Sequence, residues 1–241
     1  RSSPVQSSSY PTVLFNAMVK PWTAFPIKGV IWYQGEANVG RSEQYGDLFP
    51  ALITDWRRQW RSDFPFYFVQ LANFMESKKI QPDSEWAALR EAQTKALKLD
   101  QVGMAVTIDI GLADDIHPKN KQEVGRRLAL VALAGSYGKN VSSSAPVFQN
   151  YIIKGNKMEL DFGQKQDGFQ IKGTTLKGFT IAGPDRVFYP AEAMVHDGKI
   201  ILSSTEVPAP LAARYGWADN PDCNLYGENG LPVAPFRTDC W

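Results

Sequence analysis

Between residues 43 and 60 the apolar side chains Tyr45, Leu48, Phe49, Leu52, Ile53, Trp56 and Trp60 recur every three or four positions, with Asp55, Arg57, Arg58 and Gln59 between them. That period predicts a helix with one buried stripe and one wet face. Before it, the β-branched and aromatic run IKGVIWYQ over 27–34 stops at Gly35, which predicts a buried strand and a turn. FPFYFVQL over 64–71 and VGMAVTIDI over 102–110 predict two further strands. Trp86, Leu89, Ala92 and Ala96 mark a second helix. Val124, Leu128, Val131 and Leu133 mark a third over about 120–137, with Gly138 as its C-cap. Strands alternating with helices of this length imply right-handed crossovers and a parallel sheet covered on both faces, an α/β layer fold.

After the Ser-rich stretch 141–145 the texture changes. Short apolar runs at 151–153, 157–162, 178–181, 194–196 and 200–202 are separated by Gly, Pro and Asn. Gly155-Asn156, Asp167-Gly168 and Asp197-Gly198 are turn dipeptides, and the last fits a type I′ hairpin. The chain therefore divides into an α/β portion over 1–140 and a small antiparallel β domain over 141–241.

Charge narrows the choice of partners. With 26 Lys and Arg against 25 Asp and Glu, the net charge of +1 gives no long-range attraction to nucleic acid or an acidic membrane. Hydrophobic residues at 44% and charged residues at 21% are ordinary for a globular chain, and no apolar run approaches the ~18 residues needed to cross a bilayer. Neither a nucleic-acid partner nor a membrane partner is expected. The first residues, RSSPVQSSSY, have no charged n-region and no apolar h-region, and the start at Arg1 is that expected of a piece of a longer protein. Cys223 and Cys240 could close a C-terminal loop as a disulfide or stand as two free thiols.

Two histidines carry the prospects for proton transfer near neutral pH. His196 adjoins the Asp197-Gly198 turn, where an exposed hairpin residue is the expected role. His117, in GLADDIHPKN, falls in a loop at the carboxyl end of the third strand, the edge at which open α/β sheets bind ligands. Asp114 and Asp115 stand within reach of its Nδ1, and Pro118 restricts the backbone after it. The competing reading makes one of these aspartates a helix N-cap and His117 a solvated loop residue. Gln34, Gly35, Glu36 and Asn38 follow the first strand at the same edge. Gln34 could donate its amide N–H to an oxyanion, and Glu36 could pair with Arg90, anchor the loop or contact the histidine. The alternative is a plain strand-to-helix turn. There is no phosphate-binding glycine loop, C-x-x-C, H-E-x-x-H or G-x-S-x-G, so no cofactor and no metal are expected. Ser2, Ser3, Ser7, Ser8 and Ser9 lie in a polar tail without a strand-to-helix context.

LFNAMVKPWTAFPIKGVIWYQGEAN (14–38), YGDLFPALITDWRRQW (45–60), FPFYFVQLANF (64–74), WAALREAQ (86–93) and DIHPKNKQEVGRRLAL (115–130) closely resemble the sialate O-acetylesterases of the SGNH hydrolase superfamily. The ending NPDCNLYGENGLPVAPFRTDCW is similar to theirs. The resemblance implies a flavodoxin-like three-layer α/β core, here partial, with an attached β domain. It also implies cleavage of acetyl esters from sugar hydroxyls, such as 9-O-acetylated sialic acid, by a Ser-His-Asp mechanism. Carried onto this chain, His117 is the general base, Asp114 the orienting acid by the D-x-x-H spacing with Asp115 its rival, and Gln34 the oxyanion donor. Gly35, Glu36 and Asn38 shape the loop. The family's nucleophilic serine lies in a block before the segment matched at residue 14, so it is expected outside this chain. It would come from an associated N-terminal chain or segment, or be missing from a truncated piece; the former is favoured, since exposed sheet edges call for a cover. An acetylated glycan is the expected substrate, and the periplasm or cell exterior the expected location. Deacetylation of plant polysaccharide, as by acetylxylan esterases, and a non-catalytic glycan-binding fragment are the alternatives.

Overall fold

The computed structural model describes residues 10–163 and 168–241. The serines of the first nine residues and the Asp167 half of the Asp167-Gly168 turn lie outside the described residues. Three parallel strands, β1 (Val30–Trp32), β2 (Phe66–Val69) and β3 (Val102–Ala105), form a sheet in that order, with Val30 beside Phe66 and Phe66 beside Val102. Each is shorter than its apolar run, because the runs continue into loops at the carboxyl edge.

β2 is buried along its whole length, which is why its sequence shows no polar alternation. Phe66 and Phe68 face α1 (Ser42–Trp60) and α2 (Glu85–Thr94), whereas Tyr67 and Val69 face α3 (Lys121–Gly135). Phe49 of α1 meets Phe68 edge to face at 5.1 Å. Each such buried ring contributes about 1.5–3 kcal/mol through removal from water. Two apolar positions depart from the expected stripes. Leu48 is 55% exposed, one position off the Tyr45, Phe49, Ile53 row, and Leu133 lies on the outer flank of α3. α3 also stops at Gly135, capped by Ser136, so Gly138 is not its C-cap and instead turns the chain three residues later at φ +58°.

The remaining strands are all antiparallel. β4 (Asn150–Lys154), β5 (Lys157–Asp161), β9 (Glu192–His196) and β10 (Lys199–Ser203) form one sheet in the order β4-β5-β10-β9. β7 (Phe179–Ala182), β8 (Phe188–Pro190), β11 (Ala212–Tyr215) and β13 (Phe236–Arg237) form another, β13-β11-β7-β8. β6 (Phe169–Ile171) pairs with β12 (Leu225–Gly227). Met158, Leu160, Ile200 and Leu202 of the first sheet share a core with Phe179, Ile181 and Tyr215 of the second. Asp197 (φ 49°) and Gly198 (φ 72°) both take the left-handed region between β9 and β10, as a type I′ turn requires.

A polar seam joins the α/β layer to the β-rich part. Arg90 of α2 is fully buried and donates to four backbone carbonyls: Leu71 and Ala72 after β2, and Ala218 and Asp219 after β11. Burial pulls its guanidinium down to about 9, with Cys223 and Asp219 partly opposing, so it stays charged at neutral pH. The Asp219 carboxylate accepts from Ser84, at 2.6 Å, and from Gln81. Nearby, Arg127 of α3 forks onto Asp109, which also accepts from Tyr226 of β12. Cys223 and Cys240 are both free rather than bridged, and burial pushes the Cys223 thiol up to about 12.

The opposite side of the sheet is open among the described residues. There β1 pairs only with β2, and its Ile31 is 70% exposed because α3 covers β2 and β3 but does not reach it. Leu14, Met18, Trp22 and Phe25, on or beside the π-helical (Phe15–Val19) and 3-10 (Lys20–Trp22) turns that lead to β1, are exposed as well, Trp22 at 62%.

Candidate functional site

Three loops leave the carboxyl ends of β1, β2 and β3 at a common edge. The β1 loop begins with Gln34 and Gly35 and winds into a 3-10 turn over Glu36–Asn38. A Cβ at Gly35 would lie 3.1 Å from Gln93 Nε2 and 3.3 Å from Leu71 Cδ2, so the backbone nests against α2 and the β2 loop. Gln93 reinforces this: its Oε1 accepts from the Leu71 N–H (2.9 Å) and its Nε2 donates to the Gln34 carbonyl (3.4 Å).

The Gln34 amide is oriented from both ends. Its Nε2 donates to Asn38 Oδ1 at 2.7 Å, and the Tyr45 hydroxyl, between the Gln34 carbonyl (3.2 Å) and Oε1 (3.3 Å), donates to that oxygen pair. Burial raises the Tyr45 hydroxyl above its usual range, so it remains a donor. An amide nitrogen carries two N–H groups. With one on Asn38, the other has no acceptor among the described residues.

The β3 loop carries the acid–base candidates. It is fixed where Gly111 meets Asn73: the Gly111 N–H donates to Asn73 Oδ1 (2.6 Å), and a Cβ at Gly111 would fall 1.8 Å from the Asn73 carbonyl oxygen. Only glycine fits that approach. A bridge from Leu112 to Phe74 continues the pairing. Asp115 Oδ1 then accepts from the His117 backbone N–H (2.9 Å) and lies 3.7 Å from the imidazole Nδ1, longer than a hydrogen bond. Asp114 has no hydrogen bond or ion pair to the ring among the described residues. The side chain of His117 is 86% exposed. The N-cap of α3 is Asn120, which accepts from the Glu123 N–H, so neither aspartate serves as the cap.

The two clusters leave the sheet at its carboxyl edge. β1 and β3 flank β2, so their ends stand about 10 Å apart. Lys121, four residues past His117, lies over the Tyr33 ring beside Gln34, with Nζ 4.5 Å from its centroid. The Tyr33 hydroxyl is buried without a partner among the described residues, and burial together with the Glu36 carboxylate pushes it up to about 12. Glu36 does not pair with Arg90, whose donors are committed to carbonyls beneath the β2 loop. His196 stands exposed on the β9 hairpin, its Nε2 3.4 Å from Asp197.

Tyr45, Gln93 and Asn73 are the supporting residues that pattern reading missed. Tyr45 occupies an apolar position of α1, and its polar tip is visible only once Gln34 is placed against it. Asn73, two residues beyond the strand-like run, shows as a lone polar residue in QLANF.

A family model described as carbohydrate esterase, sialic acid-specific acetylesterase matches residues 5–134. Sialate O-acetylesterase of Mus musculus is 32% identical over 255 residues, covering 93% of this chain and 47% of that protein. Its Homo sapiens counterpart is 32% identical over 262 residues, covering 96% and 50%. A crystal structure described as a novel carbohydrate acetylesterase from Xanthomonas citri superposes with a TM-score of 0.91 at 46% identity, covering 96% of this chain and 55% of that one. The chain spans about half the length of the curated relatives it matches.

Proposed function

The chain belongs to the sialic acid-specific acetylesterase family of carbohydrate esterases, and from that premise we propose that it supplies the acid–base and oxyanion half of a carbohydrate O-acetylesterase. The observation that supports this is that the loops carrying Gln34 and His117 leave the same edge of the parallel sheet, with Gln34 held by Tyr45 and Asn38 so that one amide N–H is uncommitted among the described residues. A serine hydroxyl arrives from a segment that docks on the free edge of β1. It attacks the acetyl carbonyl while His117 takes its proton, and the carbonyl electrons move to an oxyanion that Gln34 binds. Collapse expels the sugar oxygen, which receives that proton from His117. Water, deprotonated by the same imidazole, then releases acetate and restores the serine. Asp115, already near Nδ1, or Asp114, by the superfamily spacing, steadies the imidazolium. Gly35, Glu36 and Asn38 shape the wall that receives the acetylated sugar, for which 9-O-acetylated sialic acid is the first candidate. A periplasmic or secreted location follows from such a substrate alone.

The test combines this chain with the serine-bearing N-terminal portion and measures acetate release from acetylated sialic acid and from acetylated xylan. We expect His117→Ala to lower kcat by about 10⁴ and Gln34→Ala by about 10² to 10³. Undiminished turnover by His117→Ala would overturn the assignment. Sugar binding without any acetate release would favour a glycan-binding module.

A further inference from the structure

A cleft of about 470 Å³ opens between the 77–82 loop and strands β7 and β8, and none of its lining residues belongs to the 34–38 or 114–117 loops. We infer that this cleft binds the acidic residue of an oligosaccharide, a sugar ring carrying a carboxylate. The choice of a saccharide rests on the esterase reading; the anionic character rests on the cleft itself.

The lining is unlike the chain as a whole. Against a net charge of +1 for the protein, it gathers Lys78, Lys79, Lys177 and Arg214 with Asp222 as its one carboxylate. Lys177 is paired with Asp222 at 2.9 Å, whereas Lys78 and Lys79 make no ion pair among the described residues. Arg214 is buried at the base, where Nε and Nη2 grip Asp239 at 2.8 and 2.6 Å and Nη1 donates to the Pro82 carbonyl at 2.8 Å. Three of its five N–H groups are thereby used, and two are uncommitted among the described residues. Leu176, Phe179, Pro190 and Ala191 add apolar wall, suited to the C–H face of a pyranose.

The aromatic rings argue against a nucleotide. Trp217 has Arg214 and Arg237 over its ring at 5.1 and 4.7 Å, and Phe188 has Arg214 over its ring at 3.9 Å, so guanidinium groups already occupy the positions in which a base would stack. Position links the cleft to the chemistry. Its loop wall begins three residues after Phe74, which bridges to Leu112, two residues before Asp114. By chain length the Ser77 edge of the cleft therefore lies no more than about 35 Å from His117, a span an oligosaccharide of several residues can bridge.

The experiment titrates this chain with trigalacturonate and with its uncharged methyl ester, following backbone amide signals by NMR. We expect the acid to shift signals of Lys78, Lys177 and Ala191, and the ester to bind at least about tenfold more weakly. Binding should weaken as salt rises from about 0.05 to about 0.5 M. The exposed double substitution Lys78→Ala with Lys79→Ala should weaken the acid about tenfold with an unchanged circular dichroism spectrum, and His117→Ala should not alter binding. Equal affinity for the ester, indifference to the double substitution, or no binding at about 10 mM would each overturn the proposal. Because no turnover is involved, failure of the esterase reading would show as absent acetate release while this binding persisted, and the reverse failure is equally distinct.

Discussion

The two flanks of the parallel sheet differ in how completely they are satisfied. On the β3 side, Arg90, Asp219, Arg127 and Asp109 form a buried seam with many donors committed, tying loops more than a hundred residues apart in sequence. On the β1 side, a strand edge unpaired among the described residues stands beside a row of exposed apolar side chains. Burying a charge is tolerable only when its hydrogen bonds are met, so the seam reads as a finished interface; an open strand edge with large apolar neighbours reads as one awaiting a partner. The candidate site lies along the boundary, with its His117 loop moored at Asn73 and its Gln34 loop following the strand of the open flank.

Substitutions on each side test that contrast. Arg90→Leu should have the largest effect, about 4 kcal/mol of lost stability in urea unfolding, because it leaves the Leu71 and Ala218 carbonyls without a donor among the described residues and takes one of two donors from those of Ala72, which keeps Trp86, and Asp219, which keeps the Phe74 N–H. A loss below about 1 kcal/mol would mean that the seam does not hold the two parts together. Glu123→Gln should act more weakly and with a pH signature. Hydrogen bonds from Arg126 and then Arg127 hold the Glu123 carboxyl down at about 2 against some desolvation, so its contribution is complete above the ordinary carboxylate range and drains away as pH falls towards 2. The urea midpoints of wild type and variant should differ near neutral pH and converge at about pH 2; a gap that persists there would remove Glu123 from the seam's electrostatics. Ile31→Lys should be the mildest, within about 0.5 kcal/mol for this chain alone, since the position is already in water. The same substitution should weaken association with the serine-bearing portion by at least about tenfold in sedimentation or calorimetry. Unaltered association would show that the exposed edge is not the docking face.

Much of this contrast was legible in the residues, and the rest has a physical reason for being hidden. α1 and α3 declared themselves because a stripe against one core repeats at the helical period, and the Asp197-Gly198 hairpin did so because few dipeptides tolerate two left-handed residues. β6, β8, β11, β12 and β13 did not, being only two to four residues long, too short for alternation to register. Gln34 and His117 could be nominated because each follows a strand. The partners of Arg90 could not be foreseen: it occupies a polar slot in α2, and its acceptors are backbone carbonyls, which leave no trace in residue identity. The same holds for Tyr45, whose ring obeys the apolar pattern while its hydroxyl serves Gln34.

The contact between Gly111 and Asn73 has a consequence for how such a protein can be rearranged. Since the imidazole loop takes its bearings from the central strand, cuts, insertions or circular permutation ahead of β1 should leave its geometry untouched. New termini placed there would part the proposed serine-bearing portion from the loop of His117 while leaving that loop ready for reunion.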